Sequence, residues 1–410
     1  MRAVTVLLLL VVAAPQPFDI DAFGAQAGVD TLAAATANGA ALSAAIAAAN
    51  ASATRRSVLV RSDSVYAFMP ALPRFDAVRN LTFYLEGTLN AFTANFSNAW
   101  PGFPSAPFTP LEFSNCDALS IVSETGRGLL NGRGNMWWWY TIFVGDHRAN
   151  LLTVSSCTSL VISGITLLNA PQYHFGLWDV PGARVSGVTV RVDIEDQIDV
   201  MRYIGGGPLR SAAVSTRAEV AAVLRSAHAI GPADATQAAT WAATPRLDDA
   251  DDEVLRMRRA SVLPVSVRSE PWFVPSWAIT PPVPMVWALN TDGIDFTGEG
   301  VTVTNCSVTN FDDSVCAKPL GNGRCTSAAI ANIKVTYGVG VSMGSVPPLD
   351  GGNCISGVVS QRLDFDSPLK AIYIKPNPAR DSAALGTISN IVYEDVHIRD
   401  ALWWPIWMCV

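Results

Sequence analysis

The sequence predicts an all-β protein, a solenoid of the parallel β-helix type with an N-terminal capping helix. The pentapeptide Ser163–Leu167 recurs as Ser186–Val190, and Val358–Phe365 aligns with Ile391–Ile398 further along the chain. Each run alternates apolar and polar residues, as a strand does. Short strands that recur at intervals of about 20 to 50 residues, as these do, are typical of solenoids. The alternative is a β-sandwich in which these similarities are accidental.

The N-terminal part of the chain carries two further signals. Residues 1–17 have the composition of a secretory signal peptide, because Arg2 supplies a positive charge and Val4–Val12 an apolar run. That run is shorter than the roughly 20 residues that cross a bilayer. We expect residues 18–410 to form one domain. In it, the alanine-rich stretch Thr31–Ala53 is expected to form a helix that covers the open end of the coil stack.

One segment interrupts the repeat. Residues 203–284 exceed what the coils require and combine an alanine-rich stretch with one rich in Pro and Trp. Because the apolar content of this segment is modest, we predict a surface insertion and not a second domain. At the other end, the sequence stops at Val410 inside a strand-like run, so we expect a truncated C-terminus.

Composition narrows the range of partners. The formal net charge of −7 argues against nucleic acid and anionic membranes, since both favour clustered Lys and Arg. The seven cysteines lack the paired spacing of zinc sites, so we expect neither a metal nor another cofactor. Some cysteines are expected to form disulfides in an oxidising compartment, with the pairing left open. Four N-x-S/T sequons are compatible with a glycoprotein; they begin at Asn50, Asn80, Asn95 and Asn305.

Aligning the coils predicts which distant residues lie side by side, because aligned residues stack about 4.8 Å apart in a solenoid. When Val308 is matched with Phe365, Asp313 falls in register with Lys370 and Lys318 with Lys375. The sequence therefore predicts two lysines beside one groove.

Acidic residues recur at about one coil's interval. Asp292 is followed by the pair Asp312 and Asp313, a spacing close to that between Ser163 and Ser186. Stacked one coil apart, the three carboxylates would crowd together, and crowding raises the pKa of at least one of them. A protonated carboxyl group beside an ionised one suits glycoside hydrolysis. The alternative is that these residues only cap turns, where Asp is common.

The acidic residues lie inside an ordered set of short motifs. In chain order the motifs are Asp21–Ala25, Leu130–Gly134, Asn290–Gly293, Asp312–Asp313, Gly338–Ser345 and Tyr373–Lys375. This set resembles that of the polygalacturonases, glycoside hydrolase family 28. The resemblance implies a right-handed parallel β-helix and an inverting hydrolysis of α-linked galacturonate chains. It also implies that Asp312 is the general acid, while Asp292 and Asp313 position and deprotonate the attacking water.

Substrate binding is expected from a second group of side chains. The resemblance implies that Lys375 pairs with a sugar carboxylate, and we add Lys318 because it aligns with Lys375. The full set expected at the substrate is Asn290, Lys318, Gly340, Tyr373 and Lys375. Two positions depart from the family: Val339 replaces the His of Gly-His-Gly, and Tyr373 replaces the Arg of Arg-Ile-Lys. The second change removes a bidentate carboxylate ligand.

Together these observations predict a secreted, extracellular glycosidase of polygalacturonase type that acts as a monomer on a pectic or other acidic polysaccharide. Neither nucleic acid nor a membrane is expected as a partner. Because of the two departures, the alternative is a weakly active or inactive β-helix that only binds cell-wall polysaccharide. A lyase on the same fold is a further alternative.

Overall fold

The computed structural model describes ten stretches of the chain: residues 16–70, 74–93, 99–103, 105–134, 137–138, 147–193, 290–349, 352–376, 385–402 and 404–408. Most of the predicted signal peptide, the whole predicted insertion at 203–284 and Val410 lie outside these residues.

The described chain is a right-handed parallel β-helix whose strands form two sheets. The larger sheet contains β1 (Phe18–Asp19), β2 (Ser57–Val60), β3 (Val65–Phe68), β5 (Arg79–Leu85), β6 (Thr88–Ala91), β8 (Asp117–Val122), β9 (Leu129–Asn131), β11 (Val161–Ser163), β12 (Thr166–Leu168), β14 (Arg184–Ser186), β15 (Thr189–Arg191), β17 (Val301–Asn310), β19 (Leu320–Gly321), β20 (Cys325–Tyr337), β22 (Asn353–Asp366) and β24 (Gly386–Arg399). The smaller sheet contains β4 (Phe75–Asp76), β7 (Leu111–Ser114), β10 (Leu152–Ser155), β13 (Phe175–Trp178), β16 (Ile294–Phe296), β18 (Val315–Ala317), β21 (Val341–Val346), β23 (Ile372–Pro376) and β25 (Ile406–Met408).

The coil register agrees with the sequence alignment. Ile162 of β11 pairs with Val185 of β14, as the recurrence of the pentapeptide predicts. Val358 of β22 pairs with Ile391 of β24, again the partner that the alignment predicts. The prediction of a solenoid is therefore confirmed, and the β-sandwich alternative is wrong. Alternate strand residues point into one continuous apolar core, because a strand presents every second side chain to the same face.

A single α-helix, α1 (Leu32–Ala51), closes the N-terminal end of the described coils. Its start is capped by Thr31, whose hydroxyl accepts a hydrogen bond from the backbone N–H of Ala34. Leu42 and Ile46 are buried against the core, so the predicted capping helix is confirmed. Length and composition alone would let this helix cross a membrane. Its contacts with the core show that it packs as part of the fold.

The opposite end is more open. Strand β24 pairs only with β22 among the described strands, and Ile406 and Met408 of β25 are exposed. Near this end, Cys325 and Cys354, which are register partners in β20 and β22, form a disulfide. The sequence left this pairing open.

Candidate active site

The candidate site lies where the chain enters successive strands of the smaller sheet. Phe175, Ile294 and Val315 are register partners in β13, β16 and β18. Two residues before each of them stand, respectively, Tyr173, Asp292 and Asp313. The same position in the next three coils is held by Val339, Lys370 and Trp404. The coil register therefore lines up one side chain from each of six neighbouring coils.

Three carboxylates meet at this row, because Asp312 directly precedes Asp313 in the chain. One oxygen from each of Asp292, Asp312 and Asp313 lies within 4.8 Å of the other two. The three residues are 2%, 1% and 1% exposed. The sequence prediction that these residues come together is consistent with this geometry.

Backbone and amide donors hold Asp312 in place. The N–H of Asn290 donates to Asp312 Oδ2 at 3.1 Å, and the side-chain Nδ2 of Asn290 donates to the same oxygen at 3.4 Å. The N–H of Asp313 donates to Asp312 Oδ1 at 2.8 Å. By contrast, Asp292 Oδ1 has no hydrogen-bond partner among the described residues. Asn290 thus contacts the predicted acid directly, and its contact with substrate stays a prediction.

Two lysines neutralise Asp313. Lys318 Nζ lies 3.0 Å from Asp313 Oδ2 and 3.1 Å from Asp295 Oδ2. Lys375 Nζ forms an ion pair with the same oxygen of Asp313, and Lys375 is only 4% exposed. The two lysines that the coil alignment brought together therefore share one carboxylate. Their roles in substrate binding stay predictions, because both ammonium groups already contact protein carboxylates.

This arrangement gives the carboxyl groups different proton affinities. Burial, and then the charge of Asp312, raise the pKa of Asp292 well above its usual value. Burial and the charge of Asp313 likewise raise the pKa of Asp312. Burial acts in the same direction on Asp313, but Lys375 and Lys318 outweigh it and hold the pKa of Asp313 below its usual value. These shifts favour the ionised form of Asp313 and the protonated forms of Asp292 and Asp312.

Asp295 is a buried acidic residue that the sequence analysis missed as part of the site. It is 0% exposed, and its register partner in the next coil is Cys316. Burial raises the pKa of Asp295 to about 6, against the opposing effect of Lys318. Its acidity was visible in the sequence shortly after Asp292, but the contact with Lys318 was not.

Two further residues reach the site from the preceding coil. His174 Nε2 accepts a hydrogen bond from the N–H of Ala170 at 3.2 Å, so Nδ1 carries the proton that meets the carbonyl oxygen of Asp292 at 3.0 Å. Burial lowers the pKa of His174 to about 4, which keeps the ring neutral. Its neighbour Tyr173 has a raised pKa, mainly because of the charge of Asp292. Extending the coil alignment one step towards the N-terminus would have found Tyr173.

On the other side of the carboxylates, cations and aromatic rings alternate. Lys375 Nζ lies 4.9 Å from the centre of the Tyr373 ring, and Lys370 Nζ lies 3.7 Å from the same centre. Lys370 Nζ is also 5.0 Å from the centre of the Trp407 ring. Cation–π attraction stabilises such contacts. Tyr373, predicted to meet the substrate, is thus packed against two lysines at 6% exposure.

The glycine predicted at the substrate has a packing role. Gly340 has a φ of +58°, and a Cβ placed there would lie 2.0 Å from the carbonyl oxygen of Ala371 in the next coil. Only glycine allows this close approach. Contact between Gly340 and substrate stays a prediction. Beside it, Val339 donates its backbone N–H to the carbonyl oxygen of Asp312 at 2.7 Å, so the residue that replaces the family's His still contacts the acidic pair through its backbone.

Comparison with known proteins connects this site to one family. Residues 279–408 match the model of glycosyl hydrolases family 28. A segment of 111 residues is 31% identical to a probable endo-xylogalacturonan hydrolase A from Neosartorya fischeri and covers 27% of this chain and 26% of that protein. A segment of 88 residues is 24% identical to a polygalacturonase from Cryptomeria japonica and covers 20% of this chain and 16% of that protein. The aligned segments thus span about a quarter or less of the curated relatives' length.

Solved structures agree on the fold. The endo-xylogalacturonan hydrolase from Aspergillus tubingensis superposes with a TM-score of 0.57 at 18% identity, over 92% of this chain and 73% of that one. The polygalacturonase from Erwinia carotovora superposes with a TM-score of 0.55 at 14% identity, over 95% of this chain and 80% of that one. Residues 279–408 thus resemble glycosyl hydrolases family 28 in sequence, and the described chain shares the fold of these two solved structures.

Proposed function

We propose that this chain is a pectin-degrading glycoside hydrolase of polygalacturonase type that cleaves the backbone of an acidic polysaccharide. The observation that carries the proposal is the split within the carboxylate cluster. Lys318 and Lys375 form ion pairs with Asp313 and favour its ionised form, whereas burial and neighbouring carboxylates favour the protonated forms of Asp292 and Asp312. Acid and base catalysis at one glycosidic bond needs both protonation states side by side.

Each carboxylate has a proposed role. Asp312 donates its proton to the glycosidic oxygen as the leaving group departs. Asp292 and Asp313 hold the attacking water on the other face of the sugar. When the pair of Asp292 and Asp312 carries one proton and Asp312 holds it, Asp292 is ionised and accepts the proton of the water. Asp313 is the weaker base because two ammonium groups stabilise its charge.

Inversion is the finer part of the proposal. Inverting glycosidases commonly keep their two carboxyl groups about 6.5 to 9.5 Å apart, which leaves room for water. Here the nearest oxygens of the three aspartates lie within 4.8 Å of one another. The room for a water molecule must therefore come from the carboxylate oxygens that face away from each other. We favour inversion because an Asp313 neutralised by two lysines is a poor nucleophile. NMR of the first product anomer tests this point: a β-anomer from an α-linked chain supports inversion, and an α-anomer overturns it without affecting hydrolysis.

The general activity is tested with purified protein on polygalacturonate, xylogalacturonan and neutral galactan. New reducing ends from either acidic polymer, without an unsaturated product that absorbs in the ultraviolet, are the expected result. Unsaturated ends would instead show a lyase. Xylogalacturonan is included because several relatives are named endo-xylogalacturonan hydrolases.

A second function is a polysaccharide-binding protein without turnover. Two observations favour it: Val339 supplies no side chain that can exchange a proton, and Tyr373 supplies no guanidinium. Retention on immobilised polygalacturonate with no reducing ends over long incubation would support this alternative and reject hydrolysis.

We also propose that the protein is secreted and glycosylated. Asn80 and Asn305, which begin two of the sequons, are exposed in the fold. Expression with residues 1–17 in a eukaryotic secretory host tests both points. The expected result is protein in the medium whose mass falls after enzymatic removal of N-glycans, and retention of unglycosylated protein in the cells would contradict it.

A further inference from the structure

A buried arginine beside the carboxylates has no role in the mechanism above. Arg148 is 8% exposed. Its Nη2 donates to Asn290 Oδ1 at 3.2 Å, and its Nη1 donates to the carbonyl oxygen of Pro171 at 3.4 Å. Because Asn290 in turn donates to Asp312 Oδ2, a series of hydrogen bonds leads from the guanidinium to the proposed general acid.

The guanidinium determines which way the amide of Asn290 points. An amide side chain has a donor end and an acceptor end, and it can turn to present either of them to a neighbour. Arginine carries donors only, so the hydrogen bond to Arg148 forms only when Oδ1 of Asn290 faces the guanidinium. The NH₂ group must then face Asp312.

This orientation decides where the proton of Asp312 can go. If Oδ1 of Asn290 faced a protonated Asp312, the carboxyl O–H would donate to it and be withheld from the glycosidic oxygen. With the NH₂ group in that place, Asn290 can only donate to Asp312, so the acid proton remains available to the substrate.

We propose that Arg148 is a positioning residue that fixes the amide of Asn290 and thereby keeps the proton of Asp312 directed to the substrate. The inference rests on the proposed function, in which Asp312 is the acid. Arg148 lies far before Asn290 in the chain and outside the motifs that resemble the family.

The orientation also has a measurable effect on acidity. A donor on Asp312 Oδ2 favours the ionised carboxylate, whereas an acceptor in its place favours the protonated form. Loss of Arg148 should therefore raise the pKa of the acid as seen in the basic limb of the pH–rate profile. Support of the fold alone would not move that limb.

The test compares Arg148→Met with Arg148→Lys, which keeps a donor and a charge. In Arg148→Met we expect kcat to fall roughly 10- to 100-fold, the usual scale for a misplaced catalytic group, with KM within about twofold and the basic limb moved to higher pH. Arg148→Lys should recover most of the rate. Arg324→Gln is the matched control, because Arg324 pairs with Asp179 at the surface and should leave the profile unchanged.

A double-variant cycle keeps the test decisive if Arg148→Met lowers stability. In an Asn290→Ala background the amide is absent, so replacing Arg148 should cause little further loss of kcat. Equal losses with and without Asn290, or an unmoved basic limb, would overturn the positioning role while wild-type activity stands. If the wild-type protein releases no reducing ends from any pectic polymer, the proposed function itself has failed.

Discussion

Asp292 and Asp313 occupy the same position in neighbouring coils and are buried to the same degree, at 2% and 1% exposure, yet their pKa values shift in opposite directions. Burial favours the neutral form of both carboxyl groups. The difference comes from their neighbours, since Asp313 contacts Lys318 and Lys375 whereas Asp292 lies against Asp312. The coil thus sets where a carboxylate stands, and the adjoining cations set whether it is charged.

The largest effect is expected from replacing Asp312, the proposed general acid. Asp312→Asn should lower kcat on polygalacturonate by about 10²- to 10⁴-fold, the usual contribution of a general acid, because an amide cannot donate a proton to the leaving oxygen. Reducing-end release at saturating substrate measures this loss, and a melting temperature close to wild type shows that the fold is kept.

The same variant can also separate the two members of the protonated pair. A galacturonide with a good aryl leaving group needs little acid help, so Asp312→Asn should hydrolyse it far better than Asp292→Asn does. If the order is reversed, Asp292 is the acid and the assignment must be exchanged.

The next largest effect is expected from removing one cation. Lys375→Met leaves Asp313 with Lys318 alone, and breaking a buried ion pair typically costs about 3 to 5 kcal/mol of unfolding free energy. The stability that Asp313 contributes through its lowered pKa is fully present above the pKa of the unfolded state, about 3.9, and is lost progressively as the pH falls from there through the still lower pKa of the folded state. The variant should therefore be most destabilised near neutral pH and approach wild type in acid.

Urea unfolding at pH 7 and at successively lower pH measures this difference, and Lys334→Met, at an exposed position of β20, is the control. A double variant, Lys375→Met with Asp313→Asn, should regain part of the stability because the buried carboxylate that lost one of its two cations is then neutral. If Lys375→Met changes only KM and leaves stability untouched, then Lys375 is chiefly a substrate ligand.

A smaller effect is expected at the row of rings and cations. Lys370 stands at the coil position of Asp313, two coils further on, and contacts Tyr373 and Trp407. We expect Lys370→Met to raise KM for polygalacturonate by about 5- to 10-fold, the loss of roughly 1 to 1.4 kcal/mol, with kcat nearly unchanged. A neutral pectic substrate serves as the comparison. An equal rise in KM for the neutral substrate and for polygalacturonate would show that Lys370 does not bind the substrate through its charge.

The smallest effect on turnover is expected from the disulfide. Cys325 and Cys354 join β20 to β22 and contact none of the three aspartates. Reduction should lower the melting temperature, since a closed loop of about this size typically contributes 2 to 4 kcal/mol, while kcat at room temperature stays the same. A fall in kcat on reduction would mean that the opposite pKa shifts of Asp292 and Asp313 depend on the link between β20 and β22.

The alignment of Asp292 with Asp313 could be predicted from the sequence, because the coils repeat at a regular interval along the chain. The register of Ser163 with Ser186 and the approach of Asp292 to Asp313 both follow from strand periodicity. The alignment also paired Lys318 with Lys375. The alignment could not predict that both lysines point to Asp313, because this contact depends on burial and on the rotamers of long side chains.

The contact between Arg148 and Asn290 crosses two coils. Arg148, Pro171 and Asn290 each stand four residues before one of the register partners Leu152, Phe175 and Ile294. The repeat therefore aligns the two residues, but it does not predict that the guanidinium reaches past Pro171 to the amide. The disulfide partner of Cys325 was open for a simpler reason, since seven cysteines allow many pairings and only the fold selects Cys354.

Strands β13 and β16 hydrogen-bond directly, with Phe175 beside Ile294, although residues 194–289 separate them along the chain. Pairing between these two strands therefore holds Tyr173 in line with Asp292, whatever the length of the segment that connects them. We expect that evolution or an engineer could lengthen, shorten or exchange the sequence between β13 and β16 while Tyr173 and the aspartates stay aligned.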